Sequence, residues 1–112
     1  MPRNMSFMLT QEQIRNKTKT VTRRLGWWFL EPGDILNACE KCQGLGKGGK
    51  IVKICQIKVL HVRPEILYNM PPLDCEKEGF PEMDRYDFIE MFTKEMRCER
   101  NAAVNRIEFE YL

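Results

Sequence analysis

The chain holds a single histidine in 112 residues. That excludes chemistry needing two imidazoles, such as a paired acid and base for RNA cleavage. No stretch approaches the roughly 18 consecutive apolar residues of a membrane helix. The first residues carry no apolar leader-like segment, so no membrane partner is expected. Cysteines number five, an odd count, and Cys39-Glu40-Lys41-Cys42 has no second knuckle. A structural zinc site takes about four ligands, whereas Cys55, Cys75, Cys98 and His61 are scattered singly. A redox CxxC opens a helix, and this one precedes a glycine-rich stretch. The expectation is free thiols in a reducing cytoplasm, with no metal and no cofactor. An excess of one charge is lacking too: the formal net charge is +2. Repeats and low-complexity linkers are also missing, which leaves one domain over residues 1–112.

What the chain does have is an uneven distribution of charge. Residues 1–24 carry six basic residues against Glu12 alone, and residues 74–100 carry nine acids against five bases. Either the basic segment faces phosphates, or the two segments neutralise each other in the fold. The densest piece is Asn16-Lys17-Thr18-Lys19-Thr20-Val21-Thr22-Arg23-Arg24, with four cations, three hydroxyls and one apolar side chain.

Elements can be placed around it. Met5–Leu9 reads as a first strand. Thr10-Gln11-Glu12-Gln13 has the capping-box form and opens a short helix to about Arg15. The alternation from Thr18 to Arg23 predicts an extended stretch. Pro32-Gly33 forms a turn that feeds a strand over Ile35–Cys39. Ile51–Arg63 is the longest β-like segment; a bulge or two-sided burial explains its imperfect alternation. Asp74 caps a helical turn over Cys75–Glu78. Asp84 caps a helix over residues 85–97, with Tyr86, Ile89, Phe92 and Met96 as its buried stripe. Arg106–Tyr111 alternates strictly, with Ile107, Phe109 and Tyr111 facing a core. The sum is an α+β chain in which a small β-barrel is flanked by helices.

Three motifs carry less than they promise. Gly44-Leu45-Gly46-Lys47-Gly48-Gly49-Lys50 begins like a phosphate loop, but Ile51 stands where a magnesium-binding hydroxyl belongs and a β pattern follows. Nucleotide hydrolysis is excluded. A hairpin loop remains, whose Lys47 and Lys50 can touch a nucleic-acid backbone. Trp27-Trp28 reads as one ring in the core and one at the rim rather than two stacking platforms. His61, between Leu60 and Val62, reads as a strand residue.

The polar run supports three readings. It is a phosphate-binding face, a solvated edge strand kept polar against aggregation, or a catalytic site. In the last, a threonine hydroxyl is the nucleophile, a desolvated lysine its base, and a carboxylic acid serves the leaving group.

Lys19-Thr20-Val21-Thr22-Arg23-Arg24, then Trp27, then Pro32-Gly33-Asp34-Ile35-Leu36, resembles the ASCH domain family of the PUA-like superfamily, in its small single-domain phage and bacterial form. Glu76-Lys77-Glu78-Gly79-Phe80 ahead of a helix, and the last strand ending Ile107-Glu108-Phe109-Glu110-Tyr111-Leu112, fit the same pattern. The resemblance implies a PUA-like barrel of about five to six strands with two to three helices. It also implies binding of RNA or a modified nucleoside. One branch of the family is an amidohydrolase acting on N4-acylcytidines, whose catalytic lysine, threonine and glutamate fall on Lys19, Thr22 and Glu78. Glu76, two positions away, is the alternative carboxylate. Lys17, Thr20, Arg23, Arg24 and Trp27 would contact nucleic acid or substrate, with Lys17 and Arg23 as outer cations. A non-catalytic RNA-binding module is the alternative function, and a ribonuclease a further one. In a regular strand Lys19 and Thr22 point to opposite faces, so a shared cleft requires a bulge or turn between them.

Overall fold

The computed structural model describes residues 2–42 and 49–112. Most of the glycine-rich stretch, with Lys47, lies outside the described residues. The elements run β1 Arg3–Ser6, α1 Gln11–Arg15, β2 Val21–Arg24, β3 Ile35–Cys39, β4 Lys53–Ile66, α2 Asp74–Lys77, α3 Arg85–Met96 and β5 Ala103–Tyr111. A single 3-10 turn, Leu67–Asn69, leads out of β4. The strands form one sheet in the order β1-β3-β4-β5-β2. β1 pairs parallel with β3, and the other neighbours are antiparallel. The sheet curls into a half-barrel, with β1 and β2 at its two edges. The expected barrel is therefore open on one side among the described residues.

Two apolar clusters hold it together. One packs Met5, Phe7, Ile14, Leu36, Val59, Ile107 and Phe109 inside the curl. The other packs Phe88, Ile89 and Phe92 of α3 against Leu67, Met70 and Val104. The register of β4 against β5 shifts between Val59 and His61, which is the bulge its sequence asked for. His61 is an exposed residue of β4. Gly33 takes φ 98° in the Pro-Gly turn, and its N–H donates to the Val59 carbonyl at 2.7 Å.

Some local expectations fail for identifiable reasons. The first strand is Arg3–Ser6, because the chain turns at Met8 and Leu9. In α3 the buried face is Phe88, Ile89 and Phe92; Tyr86 is 58% exposed and Met96 40%. Tyr86 packs outside against Tyr68, with the Arg85 guanidinium over its ring at 4.9 Å. Thr10 makes no side-chain cap. Gln13 reaches away instead and donates to the Gly79 carbonyl at 3.2 Å.

Asp74 is the largest departure. It is not a helix cap but a buried acceptor at the start of α2. Arg106 of β5 donates to it through Nε at 2.7 Å, and Arg23 of β2 through Nη2. The same Arg23 donates through Nη1 to Glu78 at 3.0 Å and through Nε to Glu65 of β4 at 2.7 Å. A helix of four residues has little cohesion of its own. Here one guanidinium grips it by residues four apart and fastens it to the sheet.

Burial alone would raise the Asp74 pKa, but the hydrogen bonds and charges of Arg106 and Arg23 prevail and hold it below the usual carboxylate range. Its folded-state pKa thus lies under the unfolded value of about 3.9. Asp74 contributes stability above that pH and loses it as pH falls toward the lowered value. Asp74→Asn is expected to cost about 3–5 kcal/mol at neutral pH, since it strands buried cations. In urea unfolding the gap between wild type and variant should close as pH drops below about 4. A gap independent of pH would contradict this.

Candidate functional site

The turn in the polar run lies ahead of Lys19, and among the described residues no bulge or turn separates Lys19 from Thr22. After α1 the chain turns at Lys17, which takes φ 62°. The Gln13 carbonyl accepts from the N–H groups of Thr18 at 2.9 Å and Lys19 at 3.3 Å. The Thr20 N–H donates to the Lys77 carbonyl at 2.8 Å and the Thr20 carbonyl accepts from the N–H of Phe109 in β5 at 3.0 Å, with β2 following from Val21. Lys19 thus lies just ahead of the strand that carries Thr22. Both line one cavity of about 200 Å³, together with Arg23, Arg24 and Glu78.

Lys19 and Glu78 form the polar centre. Lys19 Nζ donates to Glu78 Oε1 at 2.6 Å and to the Glu78 carbonyl at 2.8 Å, and both residues are at most 3% exposed. Gly79 sets the turn that follows Glu78. Its φ is 100°, and a Cβ there would stand 2.7 Å from Gln13 Cγ. Glu76 is exposed, so between the two carboxylates Glu78 is the one facing Lys19. On the other side Tyr111 donates to the Lys19 carbonyl at 2.6 Å. Burial raises the Tyr111 hydroxyl to about 12, so it stays a donor at neutral pH.

Burial pulls the Lys19 ammonium below its ordinary pKa; Glu78 opposes this, and the charges of Arg24 and Arg23 add to it. Thr22 is 3% exposed. Its Oγ1 accepts from Arg24 Nε at 3.1 Å, which leaves the hydroxyl proton free to be donated. The Arg24 guanidinium lies over the Phe7 ring at 4.7 Å. Burial lowers its pKa to about 10, so it remains charged at neutral pH. Phe7, Met8, Phe80, Phe88 and Met91 are among the apolar residues that complete the cavity. The arrangement is a desolvated amine bonded to a carboxylate, with a hydroxyl lining the same largely apolar cavity.

The other residues expected at the site are dispersed. Lys17 and Thr20 are exposed on the approach to β2. Trp27 is half-buried against the interior cluster and stacks on Phe29 at 5.5 Å, while Trp28 is 54% exposed. Trp27 is not among the cavity residues. Arg23 is the correction: it is 2% exposed and bonded to three carboxylates, so it is no outer cation. Of the six N-terminal cations, Lys19 and Arg23 are buried, whereas Arg3, Arg15 and Lys17 are exposed. Arg15 pairs with Glu40, Lys19 and Arg23 with the acidic segment, and Arg3 lies over Phe29.

Glu65, Asp74 and Arg106 went unrecognised in the sequence. Glu65 and Arg106 sit in ordinary strand patterns, and Asp74 looked like a cap. Cys39 is buried and Cys42 half-buried, and both are free thiols. Burial and the neighbouring Cys42 push the Cys39 thiol up to about 11.

No family model matches the chain, and no curated protein matches it. Solved structures do. A DUF984 protein from Enterococcus faecalis V583 aligns with 100% of this chain and 80% of its own, at TM-score 0.66 and 13% identity. The ASCH domain from Lactobacillus crispatus JV V101 aligns over 97% and 78%, at TM-score 0.62 and 14% identity. A crystal structure of a hypothetical protein aligns over 100% of both chains, at TM-score 0.68 and 19% identity. At these identities the likeness is one of architecture, and by architecture this chain has the ASCH-type, PUA-like fold.

Proposed function

We propose that the cavity is the active site of an amidohydrolase acting on a modified nucleoside of the N4-acylcytidine type. The observation that carries the reading is the buried Lys19–Glu78 pair at 2.6 Å, in one cavity with the Thr22 hydroxyl. The cavity is small beside the roughly 300–1,000 Å³ of drug-sized sites. It favours a base-sized group over a polynucleotide. The apolar wall suits a planar base and an acyl group, and the polar floor suits the amide between them.

The chemistry follows from the protonation states. Neutral Lys19 takes the Thr22 hydroxyl proton as Oγ1 bonds to the amide carbon. The tetrahedral intermediate collapses as the carbon–nitrogen bond breaks. The proton passes from Lys19 to Glu78 Oε1 and on to the departing amine. Arg24 stands beside Oγ1 and faces the negative charge that develops on the carbonyl oxygen. Water, deprotonated by Lys19, then releases the acyl group from Thr22 as a carboxylic acid. Amide and water give acid and amine, with no net change in the protein.

Incubation with N4-acetylcytidine is expected to release acetate and cytidine. Lys19→Ala and Thr22→Ala should each lower kcat/KM by roughly a hundredfold or more. Because the base works when neutral, kcat/KM should rise with pH through a value below the free-lysine pKa of about 10.4. No turnover, or equal turnover by Lys19→Ala, would sink the reading.

A non-catalytic RNA-binding module is the second reading, favoured by the exposure of Lys17 and Thr20 near the cavity. It calls for oligonucleotide affinity that falls steeply with salt and weakens in Lys17→Ala. With Lys19 and Arg23 paired internally, Arg3, Arg15 and Lys17 are the exposed N-terminal cations, so a shallow salt slope is expected. A steep slope, of about six or more phosphates, would favour the module over the enzyme.

A further inference from the structure

We propose that Arg23 is the positioning residue of this pocket: by holding Oε2 of Glu78 it reserves Oε1 for Lys19. The kinetic consequence rests on the amidohydrolase reading, whereas the geometry does not.

Glu78 lies just past a helix of four residues, at a turn whose own cohesion is small. Its two oxygens are shared out. Oε2 accepts from Arg23 at 3.0 Å and Oε1 from Lys19 at 2.6 Å. With Oε2 held, only Oε1 is left to exchange a proton with Lys19. Arg23 is in turn pinned by Glu65 of β4 and by Asp74, whose Oδ2 also accepts from Arg106 of β5. A lysine could not replace it, since one ammonium cannot span three carboxylates on separate elements.

The charge works alongside the geometry. Lys19 is faced by Glu78, by Arg23 and Arg24 of β2, and at the cavity rim by Glu95 of α3. Tyr111 of β5 touches its carbonyl, and Cys75 of α2 borders Arg23 and Glu78. Of these, Arg23 is a cation that no accessible pH discharges. It disfavours a second charge on Lys19, adding to the larger effect of burial. Removing it should raise the Lys19 pKa. Removing the negative charge of Asp74 should lower it.

The test is the titration of Lys19 followed by NMR on lysine-labelled full-length protein, beside the pH profile of kcat/KM on N4-acetylcytidine. Arg23→Gln is expected to raise the Lys19 titration by on the order of one pH unit and to move the rising limb with it. Arg23→Lys should leave both within a few tenths of a unit yet lower kcat about tenfold, because the fork is lost. Asp74→Asn should shift both in the opposite direction, and it carries the test with Arg23→Lys if Arg23→Gln does not fold. A structural role alone would lower activity without moving either titration. Turnover by wild type with Lys19 unmoved in both Arg23→Gln and Asp74→Asn overturns the positioning role and leaves the enzyme reading intact. Shifts as stated without wild-type turnover would sustain the positioning role and overturn the enzyme reading.

Discussion

Arg23 carries its charge into the interior and meets carboxylates from three places in the chain. Glu65 comes from β4, Asp74 from the start of α2 and Glu78 from just beyond its end. A buried guanidinium is costly unless each face is matched, and its planar fork suits this sharing. Remove it and α2 has no charge-based tie to β2, while Glu78 loses the contact that fixes its orientation. The position of the site follows from that one interaction. Lys19 reaches Glu78 because Glu78 is held, and Thr22 borders the same cavity because the strand carrying it is where Arg23 is anchored.

Burial explains why the lysine is the adaptable member. Among the described residues, Lys19, Arg23, Arg24 and Arg106 converge with Glu65, Asp74 and Glu78. Arg63 borders the set at Glu65, and Glu95 at the cavity rim. The cations other than Lys19 are arginines, which keep their protons. Lys19 is the one cation of the set whose charge can be given up: burial lowers its pKa first, Glu78 opposes this, and the arginine charges add the smallest part.

The architecture was readable where local chemistry dictated it. Pro32-Gly33 sets a turn through its own backbone preferences, and Ile35–Cys39 leaves it as a strand at the expected residues. Asp84 caps α3 as its position implies. Lys19, Thr22 and Glu78 are named by a resemblance, and all three line one cavity, with Lys19 just ahead of β2 rather than within it. What could not be read was partnership across long separations. Gln13 had the form of a cap but was drawn to Gly79, 66 residues away. Asp74 looked local and is bound to Arg23 and Arg106. Arg23 looked like a surface cation because the sequence does not say which charges a fold will match internally. The stripe of α3 was misjudged because Tyr86 has an alternative partner outside, in Tyr68.

The central claim is that Thr22 attacks the amide while Lys19 and Glu78 carry the proton. Its most direct test is to catch the covalent intermediate. Wild-type protein is mixed with N4-acetylcytidine, quenched in acid during turnover and mapped by mass spectrometry. The account predicts an acetyl group on the peptide bearing Thr22, located on that side chain and missing from Thr22→Ala. Turnover with no acyl group on Thr22, or with the group on another residue, would contradict it.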